Sequence, residues 1–60
     1  MEWMEINCII DGLAALIEKY RIAMQDTEQS EDDRADISND MAYAEILHGK
    51  YSDLRDKMRS

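Results

Sequence analysis

Three groups of residues in this chain are of types that can do chemistry. Glu45-Ile46-Leu47-His48 is a Glu-x-x-His segment. On a helix that spacing turns a carboxylate and an imidazole to one face, and carboxylate-bridged di-metal bundles use it together with glutamates from facing helices. Asp33, Asp36 and Asp40 stand at i, i+3 and i+7, with Glu31 and Asp32 beside them. Clustered carboxylates on a helix can hold Mg²⁺ for phosphate chemistry, as in some all-helical nucleotide pyrophosphohydrolases. Cys8 is the single thiol and His48 the single imidazole.

The surroundings argue against each. One Cys and one His cannot fill a four-ligand zinc site. At the height of Glu45, where a di-metal site needs a facing glutamate, the first half of the chain offers Leu13 and Leu16. The paired Glu-x-x-Glu and Glu-x-x-Asp segments of the pyrophosphohydrolases do not occur in the required order. No cation flanks Cys8 to stabilise a thiolate, so it reads as a small hydrophobe, buried as such cysteines commonly are. There is no Ser/His/Asp or Cys/His constellation and no glycine-rich phosphate loop. The sequence therefore predicts no catalytic, cofactor or metal site, and an all-helical metal-dependent phosphohydrolase is the remote alternative.

The elements that place these residues are set by one heptad beat. Trp3, Ile6, Ile10, Leu13, Ile17, Tyr20 and Met24 recur at helical spacing, and Ile37, Met41, Ala44, Leu47, Tyr51, Leu54 and Met58 follow in the second half. Folding the chain at Ser30 and Glu31 sets Trp3 level with Met58, Ile10 with Tyr51 and Ile17 with Ala44. Level residue numbers sum to about 61 throughout, as an antiparallel helical hairpin requires. The expectation is all-α: helix 2–25, connection 26–30 and helix 31–58 in one domain. Ile9, Leu16 and Ala23 widen the first stripe. A strand at 3–10 is the competing reading, but the apolar residues keep the helical beat through Asp11-Gly12 and do not alternate by two. Ser30 is the expected N-cap of the second helix, with Thr27 the second candidate. Ion pairs are expected between Arg21 and Asp40, Asp11 and Lys50, and Glu2 and Arg59.

With this register the ladder absorbs most apolar residues, turns Glu45 outward, sets His48 at a flank and moves the aspartate cluster off the inward face. Two features stay unabsorbed. Cys8, Gly12, Ala15 and Ile22 on the first helix, and Ala42, Ile46 and Gly49 on the second, form a small-residue waist outside the core, a candidate protein interface. Asp26, Glu28, Glu31, Asp32, Asp33 and Asp36 gather at the loop end as an acidic surface.

Sixty residues with a net charge of −7 bound the rest. So short a chain buries only about 60% of the surface its unfolded form exposes. With no disulfide or metal available, a second copy is the remaining support, and a homodimeric four-helix bundle is expected. An acidic chain without clustered Lys and Arg is not expected to bind nucleic acid directly. No apolar run reaches the ~20 residues of a membrane span and no basic leader is seen, so a cytoplasmic location is expected. The hairpin layout resembles that of the Rop-type plasmid copy-number regulators, and Glu31-Asp32-Asp33-Arg34-Ala35-Asp36-Ile37 is similar to their interhelical connection. That resemblance implies the dimeric bundle. Its RNA-binding function needs a basic face with a phenylalanine, and this chain is acidic and has no Phe.

The leading functional expectation is a non-catalytic interaction protein, a small dimeric regulator or inhibitor of another protein. Phage and mobile-element products that block host or defence machinery are of this size class. One form would be an acidic mimic of nucleic acid. The alternative is an assembly subunit acting through oligomerisation.

Overall fold

A computed structural model describes residues 1–59. It holds two helices, α1 (Trp3–Met24) and α2 (Glu31–Arg59), joined by residues 25–30. They pack against each other as a rod of 45 × 14 × 13 Å. The expected bounds shift by one residue: α1 is shorter at each end and α2 runs one residue further. Residues 3–10 are helical throughout, so the strand alternative is excluded.

The connection is built from local hydrogen bonds without any left-handed residue. Gln25 N–H donates to Ile22 O and Asp26 N–H to Ala23 O, each at 3.1 Å, tightening the last turn of α1. Asp26 Oδ1 then accepts from Glu28 N–H at 2.9 Å, the short loop that Asp forms with its own backbone. Ser30 Oγ accepts from Asp33 N–H at 3.2 Å and so caps α2, as expected. Glu31, Asp32 and Asp33 fill the first turn, where the helix dipole is positive. Ser30→Ala is expected to cost about 1 kcal/mol, read as a lowered midpoint in urea denaturation.

The register is held by two bonds across the hairpin. Arg55 Nη1 donates to Asn7 Oδ1 at 3.0 Å near the open end. Arg34 Nη2 reaches Met24 O at 3.4 Å near the loop. Both pairs keep close to the predicted sum of residue numbers.

The expected interhelical ion pair of Arg21 is not the one formed. Arg21 pairs within α1 with Glu18. The hydrogen bond to Glu18, and then its charge, hold the Arg21 pKa above its ordinary value. Periodicity explains the miss. Asp11 and Lys50, like Glu2 and Arg59, are level but fall on opposite flanks of the seam, and Lys50 Nζ lies instead 5.8 Å from the Tyr51 ring centroid.

The core is thin. Among the described residues only Ile6, Ile10 and Ala44 are buried. Leu13, Ile17, Tyr20, Met24, Ile37, Met41, Leu47 and Tyr51 are half-buried. The end rung is open, with Trp3 43% and Met58 39% exposed. The beat of α2 also breaks once. Strict 3–4 alternation back from Ala44 falls on Asp40, not Met41, and Asp40 lines the seam's groove on one side while Met41 is half-buried. Asp33, Asp36 and Asp40 are all exposed, so the cluster stays off the buried core as expected, with Asp40 at the groove's edge.

Candidate interaction surface

A two-helix rod has two broad faces, one on each side of the seam. In an antiparallel pair the flanking residues that follow one heptad position on α1 meet those of the same position on α2. The Asn7–Arg55 bond marks one face. At seven-residue steps it carries Asn7, Ala14 and Arg21 from α1, and Arg34, Met41, His48 and Arg55 from α2. It is mostly polar and is bridged across the seam.

The opposite face is open and apolar at its centre. A groove of about 300 Å³ runs along it, lined by Leu13, Leu16 and Tyr20 from α1 and by Asp40, Tyr43, Ala44 and Leu47 from α2. Tyr43 is 64% exposed at the groove's edge. Ile46, three residues on and therefore on the same side of α2, is 67% exposed. Gly12, four residues before Leu16 and three after Ile9, shares that side of α1. There is room for a Cβ at Gly12 and at Gly49, with nothing within 4 Å.

The waist read from the sequence does not form one patch. Cys8, Ala15 and Ile22 recur every seven residues on the side of α1 directly away from α2. Ala42 and Gly49 do the same on α2. The two sets overlap along the rod but lie on opposite outer edges. All seven waist residues are exposed. Gly12 and Ile46 alone turn toward the groove face. Level and facing are different properties, and the sum of residue numbers reports only the first.

Cys8 is exposed, which corrects its reading as a buried hydrophobe. Two residues beyond Ile6 and two before Ile10, it is turned away from the seam that buries both. Its thiol is expected to react with Ellman's reagent in the native protein about as fast as in denaturant.

Glu45 is exposed and His48 half-buried on the polar face. Among the described residues, no three side chains of metal-binding type converge. Asp26, Glu28, Glu31, Asp32, Asp33 and Asp36 are all exposed. Asp26 is engaged in the loop and Glu31, Asp32 and Asp33 in the helix start, so local structure accounts for four of the six. Among the described residues no helix is long and apolar enough to cross a membrane.

No family model matches this chain, and neither a curated protein nor a solved structure matches it.

Proposed function

We propose that this chain is a non-catalytic interaction protein that works as a homodimeric four-helix bundle and binds another protein, as a small regulator or inhibitor. The observation that carries the reading is the contrast between three buried side chains and a long groove face that leaves Tyr43 and Ile46 in water. Ordering each residue costs roughly 1–2 kcal/mol of backbone entropy, and so thin a core offsets little of it. A second layer over the groove supplies the missing burial. Large apolar side chains exposed together on one face suit an association site.

Once two copies cover each other's groove faces, the acidic tips and the outer edges stay in water. Those are the surfaces for a target protein. An acidic tip suits a basic partner and steers it by long-range attraction. The test is capture from a native host lysate by the purified protein, followed by titration of the captured protein in isolation. Binding should weaken at least about 10-fold when Asp32, Asp33 and Asp36 are all changed to Asn, and weaken with salt. Affinity indifferent to both would remove the acidic tip from the reading. Light scattering that grows past a dimer with concentration would favour an assembly subunit instead.

A further inference from the structure

The polar face holds a cation that its own chain leaves unanswered. Arg55 is half-buried, yet among the described residues no carboxylate pairs with it. Its Nη1 donates to the neutral amide of Asn7 at 3.0 Å. Its Nε is buried and has no acceptor among the described residues. The chain has 14 Asp and Glu residues against 7 Lys and Arg, so carboxylates were plentiful. A guanidinium N–H that loses water without gaining an acceptor carries the cost of its lost hydration, and a bound acceptor removes that cost.

The neighbours of Arg55 on α2 are donors. His48, Ser52, Arg55 and Arg59 stand at i, i+4, i+7 and i+11, one ridge of the helix. His48 and Ser52 are half-buried like Arg55. A ring nitrogen, a hydroxyl and two guanidinium forks can all donate. Other charges of the open end follow the spacing of the opposite face: Glu2 and Glu5 stand seven before Ile9 and Gly12, Lys50 and Asp53 seven after Tyr43 and Ile46. The acidic tip lies at the far end of a 45 Å rod, several Debye lengths away at physiological salt. Asp11, four residues after Asn7, and Glu45, three before His48, are exposed carboxylates at the inner end of the ridge.

We propose that this ridge binds the phosphate group of a phosphate monoester, with Arg55 as its anchor. The bond of Nη1 to Asn7 leaves the edge formed by Nε and Nη2, and that edge takes two phosphate oxygens side by side once the guanidinium is drawn outward. Ser52 and Arg59 stand about one turn to either side, for the third oxygen. A carboxylate has two oxygens and would leave those flanking donors unused. The site lies on the face that the proposed dimer leaves in water, and its failure would leave that dimer untouched.

Nuclear magnetic resonance of the ¹⁵N-labelled full chain, titrated with inorganic phosphate at constant ionic strength, tests this. The amide signals of Asn7 and Ser52 and the Nε–H signal of Arg55 should shift together and saturate. Arg55→Lys keeps the charge but loses the fork, and should weaken binding at least about 10-fold. Asp11→Asn removes an opposing charge from an exposed position and should tighten it about 2-fold. Adenosine monophosphate should bind at least as tightly as phosphate, and acetate should not saturate. Acetate binding as tight as that of phosphate would overturn the choice of ligand, and phosphate binding without the nucleotide would overturn the monoester. Shifts spread evenly along the rod would overturn the site. If Arg55→Lys loses helicity by circular dichroism, Asp11→Asn decides alone, and no tightening there overturns the site as well.

Discussion

Ile46→Glu is expected to abolish the dimer while leaving the hairpin's own contacts untouched. Ile46 is 67% exposed on the single hairpin, so the substitution removes little that the hairpin uses. In the proposed dimer the residue is covered by the second copy. The change then removes one buried isoleucine from each copy, each worth about 1.5–3 kcal/mol, and puts a carboxylate into an apolar contact. The dimer dissociation constant should rise at least about 100-fold. Ile22→Glu is the matched control. Ile22 is 59% exposed on the outer edge of α1, so its substitution should move the constant by less than about 3-fold. Sedimentation equilibrium reads both. Equal effects at the two positions would mean that apolar exposure, and not the groove face, drives association.

Ile6→Ala should have the largest effect on folding. Ile6 is fully buried, and with Ile10 and Ala44 it makes up the buried core among the described residues. Truncating a buried isoleucine to alanine costs about 2–5 kcal/mol, set by how far the site can collapse. A small domain with so little core has only a few kcal/mol in hand. The cooperative thermal transition followed by circular dichroism should disappear or fall by tens of degrees. Met58→Ala, at the open end rung, should lower the midpoint by only a few degrees. If the two variants melt alike, burial is spread more evenly along the seam than the side chains indicate.

The hairpin itself was plain in the sequence, because a 3–4 beat kept across two segments with a capping serine between them has few other solutions. Ser30 was recognisable for the same reason: a hydroxyl three residues before an amide of the first turn is a local geometry. The faces were harder to see. The sum of residue numbers fixes which residues are level, but whether two level residues meet depends on the angle at which each leaves its helix. That is why Arg21 chose Glu18 over Asp40. It is also why Gly12 and Gly49 lie on different sides of the rod. Asp40 lines the groove because the strict beat passes through it, although Met41 beside it is the apolar residue. Cys8 was placed by residue type, whereas its angle to Ile6 and Ile10 sets its exposure.

The groove face was legible in part. Ile9 and Leu16 read as additions to the core stripe, and Ile46 as part of the waist. The shared groove joins Leu16 to Tyr43 and Leu47, and helical spacing puts Ile9 and Ile46 on the same side.

In the proposed dimer the hairpin is half of a fold. Sedimentation equilibrium of the unmodified protein at micromolar concentration, with helicity followed on the same samples, tests it most directly. The claim predicts about twice the chain mass of 7.0 kDa, with helix content lost as dilution takes the dimer apart. A species of single-chain mass that keeps full helicity and a cooperative melt would contradict it.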